Sequence, residues 1–331
     1  MTNKVSILTT ASCFPKKILT NADLEKMVET TDQWIVERTG IRERRIASAD
    51  EEEWPSDLAA RAAKKALEEI DFDPNTIDGI ICATMTPDYP APGVAYLVQK
   101  KLGLTNQCMA FDLGAACSGF VYAFNTATSY IKSGFLHNVL VIGSDCTSVY
   151  TDYRDRNTCI LFGDGAGVAL LSSRSDGQGD VLGFSLGANG HNGSFISVKN
   201  GGCAHPITKD NVEDRDRFLR MQGRETFKNA VKVMEENSLE TIARVGLKLE
   251  DIHWMIPHQA NKRILEAVAQ RMGFPSEKVI MNIERFGNTT AATIPTCLDE
   301  GIRDGRIQRG QYVLFTAFGA GLSWGSTVLR Y

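Results

Sequence analysis

The sequence predicts an α/β protein built from a duplicated unit, and two observations carry that reading. Short, almost uninterrupted apolar runs, such as NVLVIGSD at 138–145 and YVLFTAFG at 312–319, alternate with amphipathic stretches of helical spacing. The same order of pieces then returns at an offset of about 170–175 residues. Ile77-Asp78-Gly79-Ile80-Ile81, a loop, a helix ending KKLG and the strand before Cys117 form the first copy. Ile252-His253-Trp254-Met255-Ile256, PHQA, a helix ending QRMG and VIMNIERFGNTT form the second. Apolar runs of this kind suit parallel strands buried on both faces. The expected division is an N-terminal half over 1–175 and a C-terminal half over 176–331.

Taken in order, a strand over Val5–Ser12 leads through a turn to a helix over Asn21–Glu29. A short helix starts at Thr31 or Asp32, either a suitable cap, and stops at Arg38-Thr39-Gly40. IRERR at 41–45 reads as a charged turn. After Ser56-Asp57, LAARAAKKALEEI has the alanine content and apolar spacing of a packed helix. Residues 78–86 read as strand then loop, and 93–103 as a helix closed by glycine. Helix Val121–Ser133 and the buried strand 138–145 follow, then a glycine turn feeding a strand over 162–173. Gly177–Arg220 changes texture to glycine, asparagine and charge, with short strand-like pieces such as DVLGFSLG, and reads as an insertion or flap, counted with the C-terminal half. Strong helical sequence resumes after Gly223 and runs to Gly246.

Composition narrows the function classes. A chain of 331 residues, 23% charged and 43% hydrophobic, buries a large core as one double-sized domain or two joined ones. A formal charge of −4 gives no electrostatic reason to expect nucleic acid as the main partner. The N-terminus does not read as a signal peptide and no apolar run reaches membrane-spanning length, so a cytoplasmic protein off the membrane is expected. The eight cysteines form no CxxC pair and the five histidines do not cluster with them. Reduced thiols and no metal site are expected.

The chemistry-bearing stretch is Asn106–Phe120. A strand-like run ends at Phe111, a Gly-Ala-Ala break follows, and Cys117-Ser118-Gly119 then opens a helical run. A thiol there stands at the tip of a strand-to-helix turn, where backbone N–H groups and the helix dipole stabilise a thiolate. A lone cysteine is also an ordinary small core residue, and this segment by itself leaves both readings open. The duplication adds weight, because it sets Cys117 and Asn288 at nearly equivalent turns and His258 after a matching strand. Three polar groups far apart in sequence would then converge where the halves meet. Taken singly, His258 reads equally as a structural loop histidine and Asn288-Thr289-Thr290 as a capped turn.

DQWIVERTGIRERR (32–45), DLGAACSGF (112–120), FGDGAG (162–167), PHQANKRI (257–264), NIERFGNTTAATIP (282–295) and FGAGLSWGS (318–326) together resemble the 3-oxoacyl-[acyl-carrier-protein] synthase III family, within the thiolase-like condensing enzymes. The resemblance implies a five-layered αβαβα fold of two fused similar halves, and a homodimer. It implies Cys117 as the acylated nucleophile with His258 and Asn288 as partners. The candidate oxyanion donors are the backbone N–H of Cys117 and, in the Gly319–Gly321 turn, that of Gly321. Trp34 and Arg156 are expected against the coenzyme A adenine, Arg38 at its nucleotide or phosphates, Arg224 at a phosphate or only on the rim, and Asn261 on the pantetheine arm. Lys262 and Arg263 are expected to attract acyl carrier protein. The implied reaction condenses an acyl-CoA primer with malonyl-ACP, with acyl-CoA as substrate and no permanently bound cofactor. Two positions depart from the familiar pattern. Ala91, in Ala91-Pro92-Gly93, replaces an aromatic residue that enters the partner's primer pocket, so a primer longer or bulkier than acetyl is expected. Arg224 stands where some members carry asparagine. A secondary-metabolism relative with another acceptor and a carrier-binding module with a vestigial pocket are the alternatives.

Overall fold

The computed structural model describes residues 3–174 and 179–331. The expected boundary at 175/176 and the first residues of the expected flap therefore lie outside the described residues. Strand β1 (Ser6–Cys13) is followed by β2 (Lys17–Thr20), α1 (Asn21–Leu24), α2 (Asp32–Thr39) and β3 (Glu43–Ile46), with β2 and β3 paired as an antiparallel ribbon. Helix α1 stops well short of the expected Glu29. Asn21 and Glu25 are instead spent holding the next helix, through Asn21 Nδ2 to Asp32 Oδ1 (2.8 Å) and Asp32 N to Glu25 Oε1 (2.6 Å). The expected charged turn at 41–45 is largely strand, and its Arg44 is fully buried. The guanidinium is accommodated because it donates to Leu19 O, Asn21 Oδ1 and Ile160 O at 2.8–3.2 Å.

The chain continues through α3 (Pro55–Glu69), β4 (Gly79–Ala83), α4 (Val94–Lys101), β5 (Met109–Leu113), α5 (Gly119–Lys132), β6 (Asn138–Cys146) and β7 (Asp164–Ser172). These strands give one sheet in the order β1-β7-β6-β4-β5. Beyond residue 178 come β8 (Asp180–Ala188), the β9 (Ile196–Ser197) and β10 (Arg220–Met221) ribbon, α6 (Gly223–Arg244), β11 (Trp254–Pro257), α7 (Lys262–Met272), α8 (Ile283–Phe286), α9 (Thr293–Arg303), β12 (Tyr312–Gly319) and β13 (Ser323–Arg330). The second sheet has the order β11-β12-β13-β8. Strand by strand it repeats the first, with β8, β13, β12 and β11 in the places of β1, β7, β6 and β4. The counterpart of β5 survives as a single bridge between Met255 and Val279.

Helices α5 and α9 fill the layer between the sheets, α3 and α4 cover the first sheet outside, and α6 and α7 cover the second. The result is five layers from two duplicated α/β units. Phe120 and Phe124 of α5 pack with Phe315 of β12 at the centre, all fully buried. The strands are not all parallel as expected. β4 runs parallel to β5 and β6, and β11 to β12, while β1–β7, β6–β7, β12–β13 and β13–β8 are antiparallel. Helices on both faces of each sheet, rather than strand direction, account for the unbroken apolar runs. Strand β8 is also a correction to the flap, since DVLGFSLG pairs with β13 and belongs to the sheet. The residues from 189 to 220 lie outside both sheets. They are tied to the first half through Asp152, which Arg215 Nε meets at 2.6 Å and Arg220 Nη1 at 3.8 Å.

Candidate active site

The expected nucleophile sits on a tight turn between β5 and α5. Ala116 has φ +46°, a conformation that a residue with a Cβ adopts only under constraint. The constraint is local. Ala115 O accepts from the hydroxyls of Ser118 (2.8 Å) and Ser323 (3.2 Å), and those two hydroxyls lie 2.6 Å apart. Gly319 presses on the other side, where a Cβ would stand 2.8 Å from Cys117 N. Glycine is required there so that the β12 end can approach the turn.

Asn288 follows α8 and is held by its backbone to the chain before β7. Its N–H donates to Leu161 O (2.9 Å) and its carbonyl accepts from Gly163 N (3.1 Å). Its side-chain oxygen accepts from Thr290 N at 2.9 Å. A backbone N–H can only donate, so this contact fixes the amide orientation and leaves the NH2 group as the free end. His258 follows β11, is 1% exposed, and donates its backbone N–H to Thr316 O at 2.8 Å. Its Nδ1 lies 2.8 Å from Thr293 Oγ1, a hydroxyl that serves either ring tautomer.

Cys117, His258 and Asn288 line one cavity of about 850 Å³, together with Thr290, Phe318, Gly319 and Ala320. Burial pushes the Cys117 thiol up to about 12, the nearby Asp145 carboxylate adds to this, and contacts with the backbone N–H groups of Cys117 and Ala320 oppose it. The donors expected at the helix start are present, but desolvation outweighs them and the resting thiol is protonated. Burial also holds His258 down to about 3, against a smaller opposing contact with Thr290 O, so the imidazole is neutral. The site at rest is a neutral thiol beside a neutral ring.

Toward the cavity mouth, Trp34, Arg38, Arg224, Asn261 and Arg263 line the wall. The Arg38 and Arg156 guanidinium groups lie 4.5 Å and 5.2 Å from the Trp34 ring centroid. Arg156 also donates to Glu29 O at 3.1 Å and is not among the lining residues. Asn261 caps α7 through its oxygen, which accepts from Arg263 N (2.9 Å), and donates through Nδ2 to Arg38 O (3.0 Å). Lys262 lies off the wall, its stem against Gly40 and its Nζ 3.7 Å from Glu266. Ala91 sits on an exposed loop and does not line the cavity. Gly321 is exposed and outside the lining as well. The amide that this turn sets against the sulfur is that of Ala320, one residue earlier. Among the described residues no group of three acidic, histidine or cysteine side chains is placed to hold a metal ion.

Two family models match, 3-Oxoacyl-[acyl-carrier-protein (ACP)] synthase III over residues 111–190 and its C-terminal counterpart over 242–331. The chain is 47% identical over 325 residues to a beta-ketoacyl-[acyl-carrier-protein] synthase III of Caldanaerobacter subterraneus, covering 98% of this chain and 97% of that one. The crystal structure of the Aquifex aeolicus synthase III superposes with a TM-score of 0.90 at 45% identity, covering 99% of this chain and 100% of the other. That from Thermus thermophilus gives 0.89 at 41%, covering 98% and 99%.

The chain belongs to the 3-oxoacyl-[acyl-carrier-protein] synthase III family. It is an enzyme of the transferase type with the Claisen condensation chemistry of thiolase-like synthases. In this synthase, sequence reasoning missed Thr290, Thr293 and Asp145 around the site, and within the Gly319–Gly321 turn it named Gly321 where Ala320 meets the sulfur. Ala320 contributes only a backbone amide, which no side-chain pattern reveals. Both threonines stand inside the quoted NTTAATIP motif, but threonine there reads as a cap.

Proposed function

We propose that this synthase condenses an acyl group delivered by coenzyme A with malonyl-ACP, giving 3-oxoacyl-ACP, CO2 and free coenzyme A, and so starts fatty-acid chains. The observation that carries the reading is the convergence of Cys117, His258 and Asn288 on one cavity whose mouth holds Trp34, Arg38 and Arg224. An indole suits an adenine face and forked guanidinium groups suit phosphates. Arg156 completes the adenine side by leaving its place over Trp34. Asn261 steers the pantetheine arm, and Lys262 with Arg263 attracts the acidic carrier protein.

In the first half-reaction the Cys117 sulfur attacks the thioester carbonyl and loses its proton as it does so, and the coenzyme A thiolate leaves and is protonated. The N–H groups of Cys117 and Ala320 face the oxygen on which charge develops. In the second, the malonyl carbon–carboxylate bond breaks and its electron pair moves into an enolate. The Asn288 NH2 donates to the enolate oxygen. His258 Nε2–H does the same in the tautomer where the Thr293 hydroxyl turns from Thr290 O to donate to Nδ1. No base is needed, because loss of CO2 supplies the carbanion. That carbon attacks the acyl-Cys117 carbonyl, and collapse expels the Cys117 thiolate, which takes up a proton.

A second cavity of about 300 Å³, lined by Tyr150, Val198 and residues 200–202 among others, shares Met85, Ile196, Leu219 and Ala320 with the first. Together with the small Ala91 side chain it supports a primer longer or bulkier than acetyl. Exposed Tyr89 and Tyr96, on the loop and helix next to the edge strand β5, support a homodimer across that edge. Among the described residues no helix is long and apolar enough to cross a membrane; the reading places the enzyme in the cytoplasm.

Incubation with labelled acyl-CoA and peptide mass analysis tests the reaction. Label on Cys117, discharged by malonyl-ACP with CO2 release, is the expected result; stable binding without acylation refutes it. Cys117→Ala abolishes acylation, whereas His258→Ala and Asn288→Ala depress CO2 release more than acylation. Comparing malonyl-ACP with malonyl-CoA fixes the extender. Turnover of acetyl-CoA with none of butyryl-, isobutyryl- or longer thioesters would reject the larger primer.

A further inference from the structure

The carboxylate of Asp145 is fully buried at the end of β6, and no ion pair reaches it among the described residues. Five neutral donors converge on it instead. Oδ1 accepts from Thr84 Oγ1 (3.1 Å), Met85 N (2.8 Å) and Thr86 Oγ1 (3.0 Å). Oδ2 accepts from Thr290 Oγ1, in a short contact, and from Ala291 N at 3.2 Å. A buried charge is costly unless its lone pairs are filled, and here they are filled from two loops of different halves.

Thr290 is the informative partner. Its φ is +50°, a left-handed conformation that a β-branched residue avoids. From that conformation its N–H reaches Asn288 Oδ1 at 2.9 Å and its carbonyl accepts from Thr293 Oγ1 at 3.0 Å. Thr293 Oγ1 in turn meets His258 Nδ1. The Asn288 amide proposed for the malonyl thioester oxygen therefore hangs from one strained residue, and Asp145 grips that residue by its hydroxyl and by the following amide.

We propose that Asp145 is a positioning residue for the decarboxylation step, holding Thr290 in its left-handed turn so that the Asn288 amide presents its NH2 group to the enolate oxygen. The proposal rests on the condensation reading above. Asp145 is not among the residues that line the cavity. Its grip acts on the Asn288 donor and leaves the Cys117 turn, which is held by Ser118, Ser323 and Gly319, in place.

In Asp145→Asn the side chain keeps its shape, but an NH2 group must face either the Met85 amide or the Ala291 amide, donor against donor. CO2 release from malonyl-ACP by the acylated enzyme is expected to fall about 30- to 100-fold, the scale of a misplacement near 1 Å. Single-turnover acylation of Cys117 should fall at least tenfold less. Thr290→Val, which removes only the hydroxyl, should reproduce the split, and Thr290→Ser should recover most of the lost CO2 release. The double variant Asp145→Asn/Thr290→Val should be no worse than about threefold below the poorer single one, because both cut the same link. Circular dichroism and melting confirm that each variant is folded, and Thr290→Val carries the test if Asp145→Asn is not. Condensation unchanged within threefold in a folded variant, equal loss in both half-reactions, or multiplicative losses in the double variant would overturn the proposal. If the parent enzyme neither acylates Cys117 nor releases CO2, it is the reaction assignment that fails, and the parent assay shows this before any variant is compared.

Discussion

Gly319→Ala is the sharpest test of how the nucleophile turn is held. The added Cβ would stand 2.8 Å from Cys117 N, 3.0 Å from Cys117 Cβ and 3.1 Å from Ser118 N, where ordinary contact begins near 3.4 Å. The nearest atom is backbone, so the turn must retreat by about 0.6 Å or the β12 end must bend away. Either movement separates the Cys117 and Ala320 amides that are proposed to face the developing oxyanion. Removing one such donor costs about 10²–10³ in rate, and a 1 Å misplacement about 10². A partial displacement here is expected to slow single-turnover acylation about 10- to 100-fold, equivalent to about 1.4–2.7 kcal/mol of barrier. The overpacking should also destabilise the fold by about 1–3 kcal/mol, visible as a lower urea midpoint. Acylation is followed by mass spectrometry after rapid mixing with acyl-CoA, at a temperature where the variant is folded. A folded Gly319→Ala enzyme acylating within twofold of the parent would refute the close-packed account of this turn.

Other outcomes follow from the same geometry. His258 binds its proton near 3 when folded and near its ordinary 6.5 when unfolded, so the unfolded chain takes up the extra proton between those values and stability falls as pH drops through that window. Asp164, raised to about 6 by burial, has the opposite sign between about 4 and 6, so the His258 contribution is read against a His258→Asn variant that shares it. Between pH 7 and 5 the parent should lose about 2 kcal/mol more than that variant in urea titrations, and parallel losses would contradict it. Arg224→Asn should raise the acyl-CoA KM about three- to tenfold with kcat little changed, as expected for an exposed phosphate contact; an unchanged KM removes Arg224 from the site. Ala91→Phe should cut turnover of branched or longer primers at least tenfold relative to acetyl-CoA. An unchanged primer ratio would place the limit of the pocket elsewhere.

The parts of the molecule visible in its sequence are those where side-chain type and periodicity decide the outcome. The repeat at constant offset anticipates two equivalent sheets, and it brings 117, 258 and 288 to one cavity because equivalent turns of duplicated units share an end of the sandwich. What escaped depends on backbone direction or on partners distant in sequence. Arg44 reads as a surface charge, and only the carbonyls of Leu19 and Ile160 make its burial tolerable. DVLGFSLG reads as strand-like, but its place in the main sheet and not in a flap depends on its pairing with the distant β13. The Gly319–Gly321 turn is expected to supply an amide through Gly321, but it is Ala320 that lines the cavity and whose amide meets the sulfur. Asp145 is hidden for a related reason, since its meaning lies in a threonine of the other half.

The central layer carries a further consequence. Helix α5, which begins two residues after Cys117, belongs to the first half and α9, which begins at Thr293, to the second, and each is enclosed by both sheets. Neither half can bury its own helix without the other, so prising them apart exposes the apolar middle at the same moment as it scatters the three reactive side chains. Loss of turnover and global melting should consequently be a single event, and separately expressed fragments would regain activity only by rebuilding the whole sandwich.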